Sequence, residues 1–257
     1  MLELNFSKYH GAGNDFILIN NLDGSIDLSV DQIQLLCDRN FGIGSDGLIL
    51  IESCALADYS VNFYNPDGSQ SFCGNGSRCA YRMAMDLKLV SDTCTFLAFD
   101  GLHQASSQGK DVSISMSDVK SIDPYKDGFV VQTGSPHFVK FCQDLDKIKI
   151  VQEAHSVRYD DKYKEKGINV NFVLPRNGEI ALRTYERGVE AETLACGTGV
   201  TAAALVYAMS QDHLREVKVH AVGGDLKVGF KRMGEGFCDV WLTGPAQHVY
   251  HGNIKLA

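Results

Sequence analysis

Basic charge is scarce in this chain: 24 Lys and Arg against 32 Asp and Glu leave a formal net charge of −8 over 257 residues. A field of that sign repels phosphate backbones and anionic lipid, which argues against nucleic acid and membrane surfaces as partners and for a small-molecule ligand. Long apolar runs are missing too. No stretch approaches the ~18 residues of a membrane span, and Met1 to Tyr9 lacks the apolar segment of a secretory signal, so a soluble, cytoplasmic protein is expected. There is no Cys-x-x-Cys and no histidine pair at zinc-finger spacing, which argues against a structural zinc site, and no metal is expected. No phosphate loop or distinctive lysine marks a pyridoxal phosphate enzyme; lysine count alone leaves that class open, and absorbance in the cofactor band would decide it. Low-complexity sequence is absent.

Cysteine is present but sparse, at positions 37, 54, 73, 79, 94, 142, 196 and 238. That is too few for a disulfide scaffold in a chain this long, and most are expected to be thiols. Six read as ordinary, with Cys37 on the apolar face of a helix and Cys94 and Cys238 in strand-like context, where free cysteine packs as a small hydrophobe. Cys73 and Cys196 differ, because each opens the same motif, Cys73-Gly74-Asn75-Gly76 and Cys196-Gly197-Thr198-Gly199. Each motif leads into small, helix-compatible residues. At a helix start the unpaired N–H groups and the dipole favour negative charge, which brings a thiol pKa from ~8.5 to roughly 3.5–7.5. Each sulfur is thus a candidate base near neutral pH. A disulfide joining the two is a rival reading; it explains a symmetric pair but not the glycines and open helix ends.

Strand-like runs dominate, at 16–20, 48–52, 59–64, 93–99, 111–116, 129–132, 170–174, 179–185, 217–221, 226–230 and 239–242. Three helices are predicted. Ser29 and Gln32 form a capping box opening 30–39, and the two thiol motifs open 76–87 and 198–209. Each thiol copy reads strand, turn, thiol, helix, preceded by Asn65-Pro66-Asp67-Gly68 in one case and Glu186-Arg187-Gly188 in the other. The expected fold class is α+β: two related domains, each a mixed, mostly antiparallel sheet around one helix. The boundary falls near Val119 in a polar, proline-containing link at 117–126, giving domains of 1–118 and 119–246. The stretch 158–166 reads as solvated surface.

Gly42-Ile43-Gly44-Ser45-Asp46-Gly47 matches a dinucleotide pattern on paper, but the order here is helix, glycines, strand, so it reads as a tight turn with positive φ angles. The segment His10 to Phe16 reads as a glycine-rich loop in which Asn14 is a candidate ligand donor. The glycines after each cysteine would let a carboxylate or phosphate approach the helix-start amides. For an amino acid losing its Cα proton, those amides act as an oxyanion hole worth ~3–4 kcal/mol each. His137 follows the turn Gly134-Ser135-Pro136; a lone histidine is more often structural than catalytic, but within reach of a thiol it becomes a base. Glu186-Arg187 is a charge couple ten residues before Cys196.

These pieces together resemble the diaminopimelate epimerase family of cofactor-independent epimerases in lysine and peptidoglycan precursor synthesis. The resemblance rests on Lys8 to Phe16, Asn65 to Gly68 leading to Cys73 to Cys79, Gly134 to Val139, Gly167 to Val170, and Tyr185 to Gly188 leading to Ala195 to Gly199. It implies two pseudo-symmetric domains with an active site in the cleft between them, the last strand, 247–257, returning to the first domain. It further implies that Cys73 and Cys196 are the two bases, His137 assisting Cys73 and Glu186 assisting Cys196. Amides of Gly74, Asn75, Gly197 and Thr198 would hold the reacting carboxylate, with Asn14, Asn65, Asn169, Glu186 and Arg187 binding substrate. No cofactor is implied, and a homodimer is left open. The chain departs from the family pattern at Ser135, at Gly47 where some relatives carry Gln, and in the lengths of the loops 65–73 and 187–196. Those departures lie mostly where the far end of a substrate would be read, so altered or looser recognition of that end is expected.

Inverting a stereocentre without a cofactor requires one sulfur as thiolate and the other protonated, and their pKa values belong to the coupled pair. The leading reading is epimerisation of LL-diaminopimelate to the meso form. Alternatives are a racemase of glutamate, proline or hydroxyproline, or a thiol redox or amino-acid-binding protein using the pair as a switch.

Overall fold

The computed structural model describes residues 2–256, at position 108 the backbone only. The chain forms two compact units, one of residues 1–114 and 244–257, the other of 115–243.

In the first unit, β1 (Leu2–Gly11) and β2 (Asn14–Asn21) are followed by α1 (Val30–Cys37), β3 (Gly47–Glu52), β4 (Tyr59–Tyr64) and α2 (Gly74–Asp86). The strands β5 (Thr93–Ala98), β6 (Gly101–Gln108) and β7 (Asp111–Met116) come next, and β17 (Gln247–Leu256) closes the unit against β1. From β1 to β7 the successive pairings run antiparallel, parallel, antiparallel, parallel, antiparallel, antiparallel. The second unit holds β8 (Asp123–Tyr125), β9 (Gly128–Gln132), β10 (Pro136–Phe141), α3 (Ile150–Arg158), β11 (Asn169–Arg176) and β12 (Glu179–Glu186). It continues with β13 (Ala191–Thr193), α4 (Gly197–Ala208), β14 (Glu216–Ala221), β15 (Gly224–Met233) and β16 (Gly236–Pro245). From β9 through β10, β11, β12, β14 and β15 to β16 the order of pairings is the same as in the first unit. The helices also fall at the same places. Each unit is therefore one copy of a strand–strand–helix–strand–strand–helix–strand–strand–strand pattern, an α+β fold.

The thiol-bearing helices are the ones enclosed by strands. α4 packs against β9, β10, β11, β12, β14 and β15, and its sequence is apolar or small on every side, as such burial requires. α2 packs against β1, β2, β3, β4 and β17. The other two helices lie on separate apolar clusters: Ile33, Leu36 and Cys37 of α1 join Leu4, Ile17 and Leu48, while Ile150, Ala154 and Val157 of α3 join Phe138, Phe172 and Tyr185. The capping box on α1 is present in both directions, Gln32 N–H to Ser29 Oγ and Ser29 N–H to Gln32 Oε1.

Several local expectations change. The segment 10–16 is no loop but a tight hairpin, its turn formed by Ala12 (φ 53°) and Gly13 (φ 81°) between paired strands. Of the glycines at 42, 44 and 47 only Gly44 has positive φ, at 80°. The other two are required by packing: a Cβ on Gly42 would stand 1.8 Å from the Leu35 carbonyl oxygen, and one on Gly47 2.3 Å from the Phe63 ring. The polar link at 117–126 carries β8, paired with β9.

Candidate active site

In the first unit β4 ends in the turn at Asn65, whose Nδ2 donates to Ser69 O at 3.1 Å and to Ser71 Oγ at 3.2 Å. This knitted loop delivers the chain to Cys73. Cys73 has extended backbone (φ −128°, ψ 107°) and is the N-cap of α2, its Sγ accepting the Gly76 N–H at 3.4 Å. A sulfur thus takes the position usually held by a serine or aspartate oxygen, where the amide donors stabilise a thiolate. The next residues carry a polar chain outward. Asn75, 1% exposed, donates from Nδ2 to Asn14 Oδ1 at 3.1 Å, and Asn14 Nδ2 donates to Asp46 Oδ2 at 2.6 Å. Arg39 bridges Asp46 and Asp15, and Lys8 also meets Asp15. Asn14 and Asn75 are therefore joined beside the first thiol motif.

In the second unit Cys196 has the same extended N-cap backbone (φ −112°, ψ 111°) at the start of α4. Its Sγ makes no cap bond; it lies 3.4 Å from Thr198 Oγ1. Thr198 Oγ1 is 2.9 Å from His137 Nε2, and the same ring nitrogen is 3.3 Å from Asn169 Nδ2. Asn169 Oδ1 accepts the Arg187 N–H at 2.9 Å. One hydrogen-bonded chain therefore joins Cys196, Thr198, His137, Asn169 and Arg187. Glu186, next to Arg187 at the end of β12, accepts from Thr193 Oγ1 at 3.0 Å.

His137 is fully buried, and that burial, helped by the positive charge of Arg187 and opposed by a bond from Asn171, pulls its pKa down to about 3. The ring is neutral near pH 7. It is held from behind by Asn171, whose Nδ2 donates to Phe138 O at 2.9 Å and lies 3.1 Å from His137 Nδ1. Asn171 and the Thr198 side chain are contributions that sequence reasoning missed. Their signal was an alternation of buried polar residues, Asn169 and Asn171, in an otherwise apolar strand. Gly199 makes room for them: a Cβ there would stand 2.6 Å from Asn171 Oδ1 and 3.3 Å from His137 Cε1. The fourth position of that motif is thus glycine because protein, rather than ligand, comes close.

Each unit presents a sulfur at the N-cap of an enclosed helix, with amides of the following two residues at the first turn and amide side chains nearby. Such a place can hold a carboxylate and move a proton.

A family model described as diaminopimelate epimerase matches residues 6–121 and 129–249. A diaminopimelate epimerase of Flavobacterium psychrophilum is 41% identical over 252 residues, covering 96% of this chain and 98% of that protein. One of Chlorobaculum tepidum is 37% identical, covering 96% and 99%. Among solved structures, a phenazine biosynthesis protein of the PhzF family from Bacillus anthracis superposes with a TM-score of 0.75 at 13% identity, covering all of both chains. A hydroxyproline epimerase from Agrobacterium vitis superposes at 0.71 with 13% identity, covering 98% of this chain and 92% of that one. These two show a shared fold. With a family model spanning both repeats and relatives matched end to end, the chain belongs to the diaminopimelate epimerase family.

Proposed function

We propose that the chain epimerises LL-2,6-diaminopimelate to meso-diaminopimelate, Cys73 and Cys196 exchanging the Cα hydrogen from opposite faces of one carbon. The observation that carries this reading is the repeat of one motif: in each unit the sulfur caps a strand-enclosed helix in the same extended conformation. A single such thiol would suit a nucleophile or a redox centre. Two in equivalent settings suit a reaction whose forward and reverse directions are chemically alike.

In the proposed cycle one thiolate removes the Cα proton while the opposite thiol delivers its own. The negative charge that grows on the α-carboxylate is taken up by the amides of Gly74, Asn75, Gly197 and Thr198. Each such donor is worth ~3–4 kcal/mol, whereas positioned proton transfer alone gives ~10²–10⁴-fold. Most of the acceleration therefore comes from the helix-start amides in a dry site. Glu186 assists Cys196; His137, which the family resemblance assigns to Cys73, is joined to Cys196 through Thr198 and assists as a neutral hydrogen-bonding ring, fixed by Asn171. Asn14, Asn65, Asn169 and Arg187 bind the remaining amino and carboxylate groups. The substrate itself supplies the electrons and the leaving proton, so the cycle closes with no added cofactor.

The test is chiral chromatography of LL-diaminopimelate incubated with the purified protein and with its Cys73→Ala and Cys196→Ala variants. The expected result is conversion to the meso form by the parent protein and none by either variant. Turnover retained by a variant would overturn the two-thiol mechanism, and conversion of proline or glutamate but not diaminopimelate would overturn the substrate.

A further inference from the structure

The turn that follows Glu186 and carries Arg187 is held by a side chain of its own. Glu186 ends β12, Ala191 begins β13, and the two are paired, so residues 187–190 link those strands. They belong to the loop whose length departs from the family pattern. The Glu190 N–H closes the turn by donating to Glu186 O at 2.8 Å, and the backbone needs positive φ at Gly188 (86°) and at Glu190 (57°). Glycine takes that conformation freely, whereas a glutamate takes it rarely, so the turn needs support beyond its backbone.

The half-buried Glu190 carboxylate supplies it. Its Oε1 accepts from Arg158 Nη2 at 2.7 Å, from Arg158 Nε at 3.1 Å and from the Gly188 N–H at 3.1 Å. Its Oε2 accepts from the Tyr185 hydroxyl at 2.8 Å and the Tyr159 hydroxyl at 3.2 Å. These donors converge from three places: the end of α3, β12 and the turn itself. Burial opposes the charge, but the bonds from Arg158, Gly188 and Tyr185 outweigh it and draw the pKa of Glu190 down to about 2, so near pH 7 the donors meet a carboxylate. Burial, and then the carboxylate itself, raise the Tyr185 pKa and keep that hydroxyl a donor.

The same neighbourhood holds Arg187. Its N–H donates to Asn169 Oδ1 at 2.9 Å and its Nη1 to Lys166 O at 2.7 Å, while Arg158 Nη1 donates to Lys164 O at 3.4 Å. Both arginine side chains pass over Gly167, where a Cβ would stand 3.2 Å from Arg187 Cδ and 3.3 Å from Arg158 Cζ. Two cations docked on one short segment repel each other, and Glu190 takes up the charge of one of them. In the first unit the corresponding turn, 65–69, is closed by its own residues: Ser69 O accepts from the Asn65 N–H at 2.8 Å, and Asp67 Oδ1 accepts from the Ser69 N–H at 2.9 Å and from its hydroxyl at 2.6 Å. There α1 contributes a neutral bond, Gln34 Nε2 to Asp67 O at 3.5 Å, where α3 contributes an ion pair.

We propose that Glu190 is a positioning residue for the reaction: by fastening the 187–190 turn to α3 and Tyr185, it fixes where Glu186 and Arg187 stand. Glu190 acts through these two residues and not on the substrate. Without its carboxylate, Arg158 is left as an uncompensated cation beside Arg187 and the turn loses the bonds that hold its left-handed residue, so both flanking side chains shift together. The inference rests on the reading of Glu186 and Arg187 as residues of the active site.

The test compares the parent protein with Glu190→Gly and Glu190→Gln by two measurements. Glycine suits the backbone of the turn but removes the carboxylate; glutamine keeps the chain length and one acceptor oxygen. In steady-state epimerisation of diaminopimelate, Glu190→Gly is expected to lose roughly 10²-fold in kcat/KM, chiefly through a raised KM, and Glu190→Gln to recover part of that loss. A substitution that merely unfolds some of the protein lowers apparent kcat and leaves KM unchanged. In hydrogen exchange, which needs no substrate, the amides of Arg187 and Glu190 are expected to lose protection in Glu190→Gly while those of α4 keep it. Parent-like KM in Glu190→Gly overturns the proposal, and so does parent-like protection at 187–190 or protection lost throughout the second unit. Glu190→Gln carries the same comparison should Glu190→Gly fail to fold. If the parent does not turn over diaminopimelate, the functional reading falls, and exchange alone decides whether Glu190 holds the turn.

Discussion

Around His137 the side chains explain one another. Asn171 is turned so that its amide nitrogen serves Phe138 O, its oxygen accepts from Thr184 Oγ1 at 3.0 Å, and its second hydrogen faces the ring. Gly199 is bare because this pair fills the space. The arrangement has a pH consequence. The folded pKa of His137 is about 3, whereas an unfolded chain returns the ring to its ordinary value near ~6.5. Because the folded value is depressed, the stabilising contribution of the neutral ring is complete above about 6.5 and is lost progressively as pH falls toward about 3, where it has fallen by roughly 4 kcal/mol. Urea unfolding at neutral and mildly acid pH checks this. The parent protein is expected to lose stability between them, and His137→Gln to lose less; equal slopes would show that the ring is not the proton acceptor. His220 works in the other direction and sets an internal control. Its bonds to Glu179 and Asp225 raise its pKa, so its contribution is present at low pH and fades as pH rises.

At the scale of elements, the loops that departed from the family pattern have local reasons for their form. Gly47 cannot carry a longer side chain in this backbone because the Phe63 ring occupies its place, and the 65–73 loop is drawn tight by Asn65. If these loops read the distal end of the substrate, the missing side chain removes a contact that some relatives make. The expected outcome is looser discrimination, measured as kcat/KM for diaminopimelate against glutamate or lysine. Discrimination as strict as that of a relative with Gln at this place would contradict it.

The elements also show what was legible in the sequence. Both thiol helices were visible because a residue pattern and a structural role coincide: a cap, two glycines, then small residues at helical spacing. They begin two residues and one residue earlier than predicted, since Gly74 and Gly197 already follow the cap. α3 was missed because Lys149 makes no side-chain cap bond and mixed polarity hides the buried Ile150, Ala154 and Val157. β1 was missed because Ser7 and Lys8 are buried beside Phe6 and Tyr9, breaking the apolar–polar alternation, whereas β17, most of whose residues are exposed, was expected only from the family resemblance.

For the molecule as a whole, the governing fact is duplication. Two copies of the same pairing order each enclose a helix capped by cysteine, which fits a reaction symmetrical about one carbon. No helix among the described residues is long and apolar enough to cross a membrane, and the acidic surface suits a chain that meets a small zwitterion.

The most direct measurement is incubation of LL-diaminopimelate with the protein in deuterated water, with mass and NMR analysis of the recovered product. At low conversion the expected result is one deuterium at a single α-carbon of the meso product, and no epimerisation in either the Cys73→Ala or the Cys196→Ala variant. Meso product free of deuterium, or epimerisation that survives loss of either sulfur, would contradict it.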